Sequence, residues 1–192
     1  MTTALATSAD VVKSLGRPFQ STDESARSDT LLILASTAYE NVADYKFAPG
    51  TYTIGRRVHQ GKVHLPGKKP TVTAVRMIDQ LDGSVSPITG FTIHGSVIYG
   101  LQGVRMNHPL RQSYVPLFVE IDFTIDATLA PIPPEIVTLV ANCVARTLSG
   151  PPVGATGESA GPFHVSYANS SGDIYISKND RLILSRWGGF RA

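Results

Sequence analysis

The chain has 192 residues, 42% hydrophobic and 17% charged, with 17 Lys and Arg against 15 Asp and Glu for a net charge of +2. That length suits one large domain, or a domain carrying an insertion, able to bury about 70% of its unfolded surface. A balance this near neutrality argues against nucleic acid as a dedicated partner, and a single cysteine, Cys143, excludes an intrachain disulfide and a cysteine-based metal cage.

In chain order, residues 1–6 read as a loose arm. Thr7 or Ser8 caps a short helix to Leu15, closed by Gly16 with Pro18 beyond. Ser21-Thr22-Asp23-Glu24 reads as a capping box, in which serine and glutamate satisfy each other's free backbone amides. A long helix follows to about Tyr45. Leu31, Leu34, Ala35, Ala38, Val42 and Tyr45 recur at three- and four-residue steps as its buried face. The N-terminus lacks a basic stretch followed by a long apolar run, and the longest apolar run, 31–35, is too short to span a bilayer. The expectation is a soluble intracellular protein with no membrane partner.

From Ala48 the texture changes. Gly and Pro punctuate short alternating runs at 51–54, 62–65, 71–78, 85–88, 91–93, 96–99 and 114–125. Leu81-Asp82-Gly83-Ser84 supplies a hairpin turn, and 119–125 alternates strictly, with one face buried and one wet. Helix returns at Pro133-Pro134-Glu135, where proline suits a first turn. Its inner face is Ile136, Val137, Val140, Cys143, Val144 and Leu148, with Cys143 a small core residue. A glycine-rich loop, 149–161, leads to a short strand, 163–167, and a turn at 169–173. Ser177 caps a last helix over 178–186 with Leu182 and Ile183 inward, and the tail is Trp187-Gly188-Gly189-Phe190-Arg191-Ala192. The fold class is α+β: a helical core built from both chain ends, residues 1–47 and 129–192, with an antiparallel β region inserted at 48–128.

Several constellations invite chemistry. Gly157-Glu158-Ser159-Ala160-Gly161 spells G-x-S-x-G, the nucleophile elbow of serine esterases. An elbow needs a strand before it and a helix after it. Here the preceding segment holds Pro151, Pro152, Gly150 and Gly154, the following one alternates like a strand, and His164 leaves no room for an intervening acid. The five histidines, His59, His64, His94, His108 and His164, show no metal-binding spacing, so no metal or other cofactor is expected. Asp79/Asp82 bracket a turn and Glu120/Asp122 share the exposed face of a strand, which solvated charge explains. Arg56, Arg57, Lys62, Lys68 and Lys69 form a basic stretch that reads either as a solvated loop or as a phosphate contact. The low charged fraction leaves more uncharged surface than usual, which favours an assembly subunit. Alternatives from other classes are a small hydrolase using Ser159 or the acids, and a β-rich binding module.

Four segments, in this order, resemble a known family. "TSADVVKSLGRPFQSTDESARSDTLLILASTAYE" looks like a short helix, "LGRP" hinge and long helix. "VHLPGKKPTVTAVRMIDQLDGSV" looks like a strand, "LP…P" turn and hairpin. "IPPEIVTLVANCVARTLSGPP" looks like a central helix, and "GESAGPFHVSY…YISKNDRLILSRW" like a terminal loop, strand and closing helix. Together they resemble the head-to-tail adaptor, or head completion, proteins of long-tailed phages, in versions from phages of actinobacteria.

The resemblance implies a helical connector core with an inserted β region, and a structural, non-catalytic protein of the virion, assembled in the host cytoplasm. It implies subunits that are monomeric or weakly associated when free. Docked, they form a twelvefold ring between the portal protein and a stopper or other tail-side connector, extending the channel for double-stranded DNA. Lys62, Lys68 and Lys69 are then candidates to line that channel without reading sequence. The tail has two readings. Trp187 caps the last helix against the core, or Gly188 and Gly189 act as a hinge that lets Phe190 and Arg191 reach the portal, with Trp187 packing.

Overall fold

A computed structural model describes residues 3–79, 83–101, 118–150, 157–160, 163–166 and 174–187, with 157–160 and 163–166 described through their backbone. The chain is α+β, with four helices and two larger antiparallel sheets among the described residues. Among the described residues it divides into a helical unit, those up to Asp44 together with Ile132–Trp187, and a β unit, Tyr45–Pro131.

The helical unit begins with α1, Ser8–Leu15. Thr7 caps it, and the Asp10 carboxylate accepts the Thr7 N–H in return at 2.8 Å. Gly16 closes it at φ 68°, a left-handed position that glycine adopts without strain. In α2, Thr22–Ala43, Ser21 Oγ accepts from Glu24 N–H at 3.1 Å. The other half of the expected box is diverted. The Glu24 carboxylate takes the Gln20 N–H at 2.5 Å and a two-point contact from Arg17 at 2.7 and 3.1 Å. A guanidinium fork matches a carboxylate better than one amide does.

The buried face of α2 is Ser28, Leu31, Leu32, Ala35, Ser36, Tyr39, Glu40 and Ala43. Leu34 is 53% exposed, against expectation; Ala38 and Val42 are half-buried, and Tyr45 lies beyond the helix. The run Leu31-Leu32-Ile33-Leu34 is apolar all round, so its periodicity does not choose a side. The neighbours choose it, as where Ser36 Oγ accepts the Leu5 N–H at 2.8 Å.

Helices α1 and α2 both pack on α3, Pro134–Ser149, which buries Ile136, Val140, Ala141, Cys143, Val144 and Ala145. Val137 and Leu148 are half-buried. Helix α4, Lys178–Leu184, packs on α2 and starts from a capping box between Ser177 and Asp180. Its inward side chain is Leu184; Leu182, expected inward, is 61% exposed, and Ile183 is half-buried. The last four residues before Gly161 do not loop. Gly157–Ala160 and Phe163–Ser166 pair antiparallel, because an extended segment next to a strand satisfies its backbone by pairing with it.

The β unit contains β1 (Gly50–Arg57), β2 (Lys62–His64), β3 (Thr71–Ile78), β4 (Val85–Pro87), β5 (Thr92–His94), β6 (Val97–Tyr99) and β7 (Phe118–Ile125). One sheet has the order β1-β7-β3-β4 and the other β2-β6-β5, all antiparallel. Strands β3 and β4 pair antiparallel as expected, with Gly83 at φ 74° and its N–H on Asp79 O at 2.9 Å; Leu81 and Asp82 of the expected turn lie outside the described residues. Strand β7 alternates as expected, burying Val119, Ile121, Phe123 and Ile125. They share a core with Val63 and Ile98 of the smaller sheet, Val75 of β3, and Leu65, Ile88, Leu101 and Ala130. A Cβ on Gly67 would lie 2.6 Å from Ile125 Cδ1, so a larger residue in the 66–69 turn would require that buried side chain to shift.

Candidate functional site

The smaller sheet presents the basic candidates. In β2 the pattern Lys62-Val63-His64 sends Val63 into the core and leaves Lys62 and His64 exposed. Register pairs Lys62 with Tyr99 and Tyr99 with Thr92, and places Val97 between His64 and His94. The outer face therefore carries Lys62, Tyr99, Thr92, His64, Val97 and His94. Lys62 Nζ stands 5.3 Å from the Tyr99 ring centroid, a cation–π contact, and His94 meets the same ring edge-on at 5.6 Å. Lys68 and Lys69 are exposed on the turn that leaves β2, Lys69 at φ 48°. The sequence does not single out Tyr99; its place opposite Lys62 depends on a strand pairing 37 residues apart.

The tail is described only to Trp187. The indole Nε1–H donates to Glu135 Oε1 at 3.0 Å, and the Trp187 N–H closes onto Leu184 O at 2.9 Å. Trp187 is thus fastened to the first turn of α3. Gly188, Gly189, Phe190 and Arg191 lie outside the described residues.

The acid pair on β7 is committed elsewhere. Arg76 of β3 bonds Glu120 Oε1 at 2.6 Å and also holds Asp122 Oδ2, while Thr53 Oγ1 donates to Asp122 Oδ1 at 2.7 Å. The Thr53 and Arg76 bonds hold the Asp122 carboxyl below its ordinary range, the wrong direction for a general acid. These charges are bridged across three strands rather than simply solvated. Ser159 sits inside a strand, opposite His164 in the backbone register, and not on a strand-to-helix turn. His59 and His64 flank a turn through Gln60 and Gly61, and both are exposed; His108 lies outside the described residues. Among the described residues no three His, Cys, Asp or Glu side chains converge. Likewise, among them no helix is long and apolar enough to cross a membrane.

One polar cluster is internal to the helical unit. Asp180 Oδ2 accepts from Tyr39 Oη at 2.9 Å, Arg146 Nη2 at 3.0 Å and Ser177 N–H at 3.1 Å. Burial raises the Asp180 carboxyl, but bonds from Arg146, Ser177 and Tyr39 outweigh it and leave the group below its ordinary value. Burial pushes up both the Tyr39 hydroxyl and the Cys143 thiol, as expected of core groups.

These features define a class by architecture: an α+β chain whose helical unit is drawn from both ends of the sequence and interrupted by an antiparallel β unit. No family model matches the chain, and no curated protein matches it. Solved structures do. It is similar over 100% of its length, and 94% of the other chain, to a chain in the neck of an empty gene transfer agent particle computed with C6 symmetry, at 20% identity and a TM-score of 0.59. It is also similar to a chain in the virion of a native gene transfer agent particle, at 21% identity and a TM-score of 0.57, covering 96% of this chain and 89% of that one. At these identities the likeness is one of fold.

Proposed function

We propose that the chain is a structural, non-catalytic subunit of a phage-like virion, placed at the neck between portal and tail, where copies form a ring around the path of double-stranded DNA. The observation that carries this reading is the end-to-end likeness of fold to a chain solved within a particle neck. The resemblance of the sequence to head-to-tail adaptors of actinobacterial phages supports it independently. A twelvefold ring is compatible with the sixfold symmetry used for that neck.

In this reading the portal protein lies on one side of the ring and a stopper or other tail-side connector on the other. Trp187 holds the end of the chain to the core, Gly188 and Gly189 give freedom, and Phe190 and Arg191 reach the portal. An aromatic and an arginine are common anchors of such contacts. Lys62, Lys68 and Lys69 face the DNA as a weak, sequence-independent field, since net charge of +2 gives little counterion release. The placement of Ser159 within a strand and the bridging of Glu120 and Asp122 by Arg76 both favour a scaffold over a hydrolase.

The test is co-sedimentation of the purified protein with portal-bearing, tailless heads. Saturable uptake by the heads, unaltered in a Ser159→Ala variant, is expected. Ester hydrolysis that disappears in Ser159→Ala, with no uptake by heads, would restore the hydrolase reading.

A further inference from the structure

Helix α2 is uncharged along most of the side that faces away from its own core. That side reads Ala26, Thr30, Ile33, Leu34, Thr37 and Asn41, with Ile33 47% and Leu34 53% exposed. A surface helix ordinarily places charged residues there. The two threonines do not supply polarity either. Thr30 Oγ1 donates to Ala26 O at 3.2 Å and Thr37 Oγ1 to Ile33 O at 2.9 Å. With both hydroxyls turned back onto the helix's own carbonyls, the methyl groups are what the face presents.

A second exposed apolar site lies in the same unit. Leu182 of α4 is 61% exposed, and Tyr175, just before that helix, is 59% exposed. Around Leu182 the exposed charges of α4 are Lys178 and Arg181, since the acidic Asp180 is buried. The start of α2 has the opposite balance, with Asp23 and Asp29 exposed against Arg27.

We propose that the outer face of α2 is covered by the Tyr175–Leu182 surface of a second copy of this chain, in a head-to-tail contact repeated around the ring. Two unlike patches meeting make a heterologous interface, in which each copy offers one patch to each neighbour and the contact propagates until it closes. The cationic rim of α4 complements the acidic start of α2, which fixes orientation and discourages like patches from pairing. A stable pair of proteins buries roughly 800 Å² per partner, and a patch centred on two exposed side chains falls short of that. One such contact holds two copies weakly, and ring closure, which gives every copy two, makes the assembly persist. The inference rests on the ring reading above for its partner and on these two exposed faces for its geometry.

The experiment uses Leu34→Cys and Leu182→Cys in the full chain, each alone and then mixed in equal amounts, oxidised at high protein concentration. The native Cys143 is buried, so wild type sets the background. A disulfide-linked dimer in the mixture, and none from either variant alone, is expected. Equal dimer from Leu34→Cys alone would mean that α2 meets α2, and would overturn the proposal. So would the absence of cross-linked product in all three samples, repeated with Ile33→Cys in place of Leu34→Cys. Uptake by portal-bearing heads is scored separately. Heads that take up the protein while no mixture cross-links refute this contact and leave the neck reading intact. Cross-linking without uptake does the reverse.

Discussion

Asp180 is the carboxylate on which three helices of the helical unit meet: it starts α4, accepts from Tyr39 of α2, and accepts from Arg146 of α3. Asp180→Asn keeps the size of the side chain and removes its charge. Bonds to a charged acceptor contribute about 1.5–3 kcal/mol each, and some survive on an amide, so a loss of about 1–3 kcal/mol in unfolding free energy is expected from denaturant titration. The sign with pH follows from the direction of the shift. The folded carboxyl holds its proton less tightly than the unfolded one, so its contribution is fully present above pH ~4 and is lost as pH falls below that. The difference between wild type and Asp180→Asn should be constant from neutral pH down to pH ~5 and shrink in more acid solution. A difference that stays constant through the acid range would show that Asp180 is not the group responsible. Glu24 behaves similarly at the surface, where bonds from Arg17 and the Gln20 amide hold its carboxyl down to about 2.

At the scale of elements, the helices separate what the sequence makes legible from what it hides. Caps were legible because they are local chemistry. Thr7, Ser177 and Gly16 act where their types and spacing place them. Strand β7 was legible because strict alternation admits one reading. The inner faces of α2 and α4 are legible only in part, for one shared reason. In Leu31-Leu32-Ile33-Leu34 and in Leu182-Ile183-Leu184, consecutive apolar residues cover every direction, and the partner helix decides which of them it buries. Ser28, Ser36 and Glu40, buried on α2, carry no apolar signal at all. Of the candidate site, the exposed lysines were visible in sequence. The Lys62–Tyr99–His94 grouping was not, since pairing of β2, β6 and β5 creates it.

The same geometry sets two stabilities apart. Val140→Ala, in the fully buried face of α3, should cost about 1–4 kcal/mol, the transfer term plus a cavity term. Leu34→Ala, on the open face of α2, should change stability of the isolated chain by no more than about 0.5 kcal/mol. Thermal unfolding of both variants decides this, and a large loss from Leu34→Ala in the monomer would contradict the assigned inner face.

At the scale of the whole molecule, the proposed neck role assigns the protein contacts to the helical unit and the DNA-facing lysines to the β unit. Deleting residues 188–192 should leave the melting temperature within a few degrees, because Trp187 and its bond to Glu135 remain. The same deletion should abolish uptake by portal-bearing heads. Unchanged uptake would move the portal contact to the helical core. Replacing Lys68 and Lys69 together by alanine should leave ring formation intact while lowering the salt sensitivity of weak duplex binding. A sequence-specific footprint on duplex DNA would contradict that role. The central claim, a ring at the particle neck, is tested most directly by electron microscopy of the full chain mixed with portal-bearing heads and averaged about the portal axis. The account predicts added density on the tail side of the portal, resolving into a closed ring of copies of this fold around an open channel. Heads whose portal vertex is unchanged at saturating protein would contradict it.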